Sequence, residues 1–120
     1  MSKVLLVEDN LAQMQLMESY LREKGHTVIG INNPKEALNK VIEHQPDIVV
    51  TDVVMPGMSG FELCRKLKNT AATAKIPVII CSSKDQEIDR LWGMKQGADA
   101  YLTKPFSKEQ LLRAINLSVV

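Results

Sequence analysis

The sequence predicts an α/β domain: a doubly wound parallel sheet of five strands with five helices. Two observations carry this. Short apolar runs alternate with amphipathic stretches along the whole length, the pattern of strand–helix repeats. Four of the runs also lead directly into polar residues. Val4–Val7 is followed by Glu8 and Asp9, and Ile48–Thr51 by Asp52. Val78–Cys81 is followed by Ser82 and Ser83, and Ala100–Thr103 by Lys104 and Pro105. As parallel strands of one sheet, these runs bring all four polar ends to its carboxyl edge, where open α/β sheets bind ligands.

After the first run, Leu16, Met17, Tyr20 and Leu21 recur at helical spacing, and Gly25 is placed to end that helix. Thr27–Ile31 reads as the second strand. Asn33-Pro34-Lys35-Glu36 supplies an N-cap, a proline at the first helical position and a capping-box acid. The buried stripe of the second helix is expected to be Ala37, Leu38, Val41 and Ile42. The third strand ends at Asp52 and runs into the turn-rich Val53–Met58. Ser59 to Glu62 has capping-box spacing, with Phe61, Cys64 and Leu67 on one face of the helix that follows. Pro77 opens the fourth strand, and a helix over Asp85–Gln96 ends near Gly97; for Trp92, four residues after Ile88, helix packing is one of two explanations. A short fifth strand, Ala100–Leu102, precedes a second capping-box spacing, Ser107 to Gln110, and a stripe of Leu111, Leu112 and Ile115.

The 120 residues fit one domain, 1–120, with its own core and with no linker or low-complexity segment. Hydrophobic residues at 45% and charged residues at 24% are ordinary for a soluble globular protein. A net charge of +1 offers no broad footprint for nucleic acid. No apolar stretch approaches the roughly 18 residues of a membrane span, and no signal peptide is visible, so a cytoplasmic protein without membrane insertion is expected. Cys64 and Cys81 stand apart from each other and from His26 and His44, which favours buried thiols over a metal or redox pair.

Glu8-Asp9 alone could simply cap the next helix. Beside Asp52 the pair acquires a chemistry. Two carboxylates about 4 Å apart repel by roughly 4 kcal/mol at an effective dielectric of 20, so three gathered acids spread apart, take up protons or bind a cation. Hard oxygen donors select Mg²⁺. A carboxylate is also a nucleophile toward phosphorus, and Asp52, ending the central strand, is the candidate. Lys104 can supply an ammonium and Ser82 a hydroxyl to the new phosphoryl oxygens. Alone, Lys104 reads as a solvated surface lysine and Ser82 as a turn residue; their convergence on one sheet edge argues otherwise. The sequence contains neither GxGxxG nor GxxxxGK[ST], so dinucleotide and P-loop chemistry lack their donors. Asp52-Val53-Val54 lacks the second acid that a phosphatase of the haloacid dehalogenase type uses two residues on.

These residues resemble the receiver domains of two-component response regulators. The resemblance runs from Lys3–Asp9 to the last helix and is most specific in Asp52–Gly60 taken with Lys104-Pro105-Phe106. It implies the flavodoxin-like receiver fold with strand order 2-1-3-4-5. It further implies that Glu8, Asp9, Asp52 and the backbone carbonyl of Val54 hold Mg²⁺ and that Asp52 is the phosphoacceptor. Ser82 matches the switch hydroxyl, Lys104 the phosphate-pairing lysine, and Tyr101 the aromatic whose rotamer tracks activation. Val54 and Lys84 occupy the two positions that tune loss of the phosphate. Asp89–Ala98 resembles, more narrowly, the stand-alone regulators of type IV pilus motility and phototaxis systems.

The function implied is that of a stand-alone response regulator without an output domain. It would be phosphorylated by a sensor histidine kinase or its phosphotransfer domain, and would catalyse no reaction beyond its own phosphorylation and dephosphorylation. A downstream protein would read the face formed by the fourth helix, fifth strand and fifth helix. A phosphorelay intermediate or phosphate sink uses the same motif. A small flavoprotein or a phosphatase is the more distant alternative.

Overall fold

The strands pair where their β-branched runs fall. A computed structural model describes residues 1–119. It contains β1 (Lys3–Val7), α1 (Leu11–Glu23), β2 (Thr27–Ile31), α2 (Pro34–His44) and β3 (Ile48–Asp52). These are followed by α3 (Gly60–Asn69), β4 (Val78–Ser82), α4 (Glu87–Lys95), β5 (Ala100–Thr103) and α5 (Lys108–Ser118). The sheet order is β2-β1-β3-β4-β5, and every pairing is parallel. In register, Val7 lies between Ile31 and Thr51, Asp52 opposes Cys81, and Ser82 opposes Thr103. All strands therefore end at one edge, as the sequence predicts.

Alternate strand residues face opposite sides of the sheet, and both sides are covered by helices. Leu5, Val7, Val49, Val78 and Ile80 pack with Ala37, Val41, Leu63, Cys64 and Leu67 of α2 and α3. Val4, Leu6, Val50, Ile79 and Cys81 pack with Met14, Met17, Leu21, Leu111, Leu112 and Ile115 of α1 and α5. Burying one such Leu or Ile stabilises by about 1.5–3 kcal/mol, so the two layers outweigh any single polar contact in holding the strands.

Several elements begin and end for the reasons read from sequence. Gly25 and Gly97, at φ +85° and +99°, take the left-handed conformation just past α1 and α4. Asn33 caps α2 with Pro34 at its first turn. Ser107 and Gln110 form the complete capping box of α5. The other two expected boxes are half-formed. Ser59 Oγ accepts from the Glu62 amide at 3.2 Å, and Asn33 Oδ1 from the Lys35 amide at 3.1 Å. Among the described hydrogen bonds, neither Glu62 nor Glu36 returns a side-chain bond to its cap residue.

Two residues of the expected apolar stripes, Leu16 and Ile42, stand outside the core. Leu16 is 51% exposed because α1 turns Met14, Met17 and Leu21 inward. Ile42 is 40% exposed, since the inner face of α2 is Pro34, Ala37 and Val41. Trp92 does not follow the helix-packing alternative: it is 48% exposed, with Ile88 at 64%. Helix α4 starts at Glu87 rather than Asp85 and buries only Gly93.

The opposite edge of the sheet is tied by side chains. Asp99 Oδ2 accepts from the Val78 amide at 2.8 Å and from Lys68 Nζ at 3.0 Å, while Lys68 Nζ also donates to the Ile76 carbonyl at 2.9 Å. Nearby, Thr73 is fully buried and its Oγ1 donates to the Leu67 carbonyl at 2.6 Å.

Candidate functional site

Glu8, Asp9 and Asp52 meet where β1 and β3 end, and each offers a carboxylate oxygen within 4.8 Å of the others. Glu8 is drawn inward because its amide extends the β1–β2 ladder by donating to the Ile31 carbonyl at 3.1 Å; only 2% of the residue is exposed. Asp9 faces solvent, and the Asp52 side chain is 15% exposed. One oxygen of Asp52 is engaged: Oδ1 accepts from the Val53 amide at 2.8 Å and stands 3.5 Å from Lys104 Nζ. Oδ2 has no hydrogen bond among the described residues. That leaves an unencumbered oxygen at the end of the central strand.

Lys104 enters from β5. Its amide donates to the Ser82 carbonyl at 2.8 Å, which continues the β4–β5 pairing past Thr103. Its Nζ donates to Glu8 Oε1 at 2.8 Å and to Gln13 Oε1. The Lys104–Pro105 peptide bond is cis. Burial pushes the Glu8 carboxyl above the usual glutamate range; the Lys104 hydrogen bond opposes this and the Asp52 charge adds to it. Burial works against the Lys104 ammonium, but the Glu8 hydrogen bond and the Asp52 and Glu8 charges outweigh it and hold the pKa above the ordinary lysine value. The two effects share a cause: charge is confined at a partly buried edge.

Ser82 is fully buried, and its Oγ accepts from the Lys84 amide at 3.1 Å, which leaves the hydroxyl proton to donate. Tyr101 closes the loop between β4 and α4, its hydroxyl donating to the Lys84 carbonyl at 2.7 Å. Arg90 lies over the Tyr101 ring at 5.5 Å and donates to Thr103 Oγ1 at 2.6 Å. Gly93 makes room for that ring, because a Cβ there would stand 2.9 Å from it. Lys84 thus contributes its backbone to this loop, and its side chain makes none of the described hydrogen bonds. Val54 is 63% exposed beside Asp52 in sequence.

Glu8, Asp9, Asp52 and Lys104 are therefore brought together as expected, and Ser82 and Tyr101 are joined through Lys84. Sequence reasoning missed Gln13 and Arg90. The Asn10–Gln13 spacing repeats that of a helix cap and could have flagged Gln13. Arg90 carries no comparable signal. Gln13 and Lys104 also border a groove of about 250 Å³ whose apolar walls include Leu16, Tyr20 and Phe106.

Carboxylate oxygens this close suit a hard divalent cation, and the ammonium beside them suits an anionic group. The chain belongs to the response regulator receiver domain family, whose model matches residues 4–116. It is thus a receiver of two-component signalling. Among relatives, it is 42% identical to protein PilH of Pseudomonas aeruginosa, over 97% of this chain and 96% of that one. Among solved structures, it superposes on the chemotaxis response regulator CheY4 of Vibrio cholerae with a TM-score of 0.91 and 29% identity, covering 98% of each chain. It also shares its fold (TM-score 0.90, 24% identity) with the receiver domain of a Pseudomonas aeruginosa sensor histidine kinase, solved with a magnesium ion coordinated in its active-site cleft; 98% of this chain and 97% of that one are covered. No helix among the described residues is long and apolar enough to cross a membrane.

Proposed function

We propose that this chain is a stand-alone response regulator that accepts a phosphoryl group on Asp52 from the phosphohistidine of a sensor kinase or its phosphotransfer domain. The observation that carries the reading is Asp52 itself: it offers a carboxylate oxygen within 4.8 Å of those of Glu8 and Asp9, its Oδ1 stands 3.5 Å from Lys104 Nζ, and its Oδ2 makes no described hydrogen bond. In the transfer, an Asp52 oxygen forms the new O–P bond as the P–N bond to the donor imidazole breaks, and the nitrogen keeps that bond's electron pair. Lys104 stabilises negative charge on the phosphoryl oxygens, and the Ser82 hydroxyl donates to one of them.

Glu8, Asp9, Asp52 and the Val54 carbonyl would hold Mg²⁺, which supplies charge neutralisation at the transferring oxygens. The magnesium described for the related kinase receiver supports this assignment. Val54 offers an attacking water no hydrogen bond, whereas Lys84 carries an ammonium from the same sheet edge, and the two set the lifetime of the acyl phosphate. The phosphate adds about 1.5–2 negative charges. Its pull on Ser82 is transmitted through Lys84 to Tyr101 and so to the surface of α4, β5 and α5, where a protein target binds. The similarity to PilH and the Asp89–Ala98 stretch support a place in a chemotaxis-like pathway of pilus motility, in the cytoplasm. In this role the protein has no turnover on a separate substrate.

The test is incubation with acetyl phosphate and Mg²⁺ followed by intact mass measurement. The native protein should gain one phosphate and Asp52→Asn none. An equal adduct on Asp52→Asn would overturn the assignment. A beryllofluoride complex that moved NMR signals only around Asp52, and not at Tyr101, would favour a phosphorelay intermediate or phosphate sink.

A further inference from the structure

Two glutamines stand at the same offset from a helix cap and behave differently. Gln110 follows Ser107 by three residues, and its Oε1 accepts from the Ser107 amide at 2.8 Å, completing the cap of α5. Gln13 follows Asn10 by three residues, and its amide donates to Asn10 Oδ1 at 2.9 Å, so the first half of the same cap is present in α1. Its side chain does not return to the Asn10 amide. That amide donates instead to Glu8 Oε2 at 3.4 Å, and Gln13 Oε1 accepts from Lys104 Nζ. Helix α1 thus gives up a local capping bond for one that spans the chain from residue 13 to residue 104.

We infer that Gln13 is a positioning residue for the phosphoryl-binding lysine: with Glu8 it takes two of the ammonium's hydrogens and so aims the third at the Asp52 side chain. An ammonium has three donors and free rotation about its last bond. Glu8 Oε1 at 2.8 Å fixes one donor, which alone leaves the other two free to rotate. A second acceptor removes that freedom. The remaining described group beside that ammonium is Asp52 Oδ1, 3.5 Å away and too far for a good hydrogen bond. A phosphoryl oxygen extends beyond the carboxylate and closes that gap with little movement of the lysine.

The inference rests on Asp52 as phosphoacceptor, and the experiment separates the two. Beryllofluoride binding in saturating Mg²⁺ is followed by ¹⁹F NMR in the wild type, Gln13→Met, Gln13→Glu, Lys104→Met and the Gln13→Met/Lys104→Met double variant, with Mg²⁺ affinity measured alone. Methionine keeps length and helix propensity but cannot hold the ammonium; glutamate keeps the acceptor. The expected result is binding weakened about fivefold by Gln13→Met, the scale of one charge-assisted hydrogen bond near solvent. Mg²⁺ affinity should be unchanged in that variant, and Gln13→Glu should bind more tightly than Gln13→Met. In the Lys104→Met background the Gln13→Met change should have no further effect. Equal weakening in both lysine backgrounds, or no weakening in the wild-type background, overturns the positioning role. If Lys104→Met binds too weakly to compare, the glutamate and methionine variants decide: equal loss in both overturns it. A wild type that binds no beryllofluoride would instead overturn the phosphoacceptor reading itself.

Discussion

Gly60 lies directly against the main chain of Asp52: a Cβ on Gly60 would fall 2.0 Å from the Asp52 carbonyl oxygen and 2.8 Å from its carbonyl carbon. The first residue of α3 is therefore what allows the loop after β3 to fold back onto the strand end. Its amide secures the approach by donating to the Val53 carbonyl at 2.9 Å. The Asp52 carboxylate is positioned by this backbone contact as well as by the sheet.

Replacing Gly60 with alanine should be among the most damaging single changes in the chain. The intruding methyl meets backbone, which cannot rotate away, so a loss of about 3 kcal/mol or more is expected. Urea denaturation of Gly60→Ala checks this. A midpoint equal to wild type would show that the loop relaxes freely.

Mg²⁺ should raise the melting temperature, since it binds the folded acids and not the dispersed ones. At a concentration a hundred times its dissociation constant the gain is about 2.7 kcal/mol. Glu8→Gln combined with Asp9→Asn should abolish that gain. The raised pKa of Glu8 sets the pH dependence: Glu8 takes up a proton at a higher pH than an ordinary glutamate, so Mg²⁺ affinity begins to fall earlier on acidification. Calorimetric titrations at descending pH would show this.

Thr73→Val keeps shape and removes the hydroxyl that donates to the Leu67 carbonyl at 2.6 Å inside a fully buried site. We expect a loss of about 1–2 kcal/mol, with phosphate acceptance unchanged because α3's far end is remote from Asp52. Denaturation and acetyl phosphate labelling of the same variant test both halves.

The two thiols should resist alkylation in the native protein. Burial pushes Cys64 up to about 11 and Cys81 up to about 12, from an ordinary value of 9.0. At neutral pH the thiolate populations are then lower by about 100-fold and about 1000-fold. Both should react with iodoacetamide only once urea unfolds the chain. The folded state favours the protonated thiols, so their contribution to stability is complete below pH 9 and is lost as pH rises toward the folded values. Melting temperatures measured through that window should fall.

What the sequence discloses and what it hides follow from the range of each interaction. Strand ends, Gly25, Gly97 and the Ser107–Gln110 cap are legible because apolar runs and cap residues act over a few positions. Strand order came from the family resemblance rather than from periodicity. Leu16 and Ile42 were misplaced because an apolar stripe wider than the buried face leaves its margin undecided. Trp92 and Ile88 lie on one side of α4, yet that side is turned to solvent. Gln13, distant in sequence from Lys104, becomes visible only when separate elements meet in space, and the closeness of Gly60 to Asp52 only once the loop after β3 folds back.

The Asp99 carboxylate, holding Lys68 and the start of β4 at once, staples the far edge of the sheet to α3. The opposite ends of β4 and β5 carry Ser82 and Lys104, and α4, which joins the two strands, buries a single glycine. The strand pair is thus fastened at one end and thinly roofed at the other, so local opening is expected to begin at the end that bears Ser82 and Lys104.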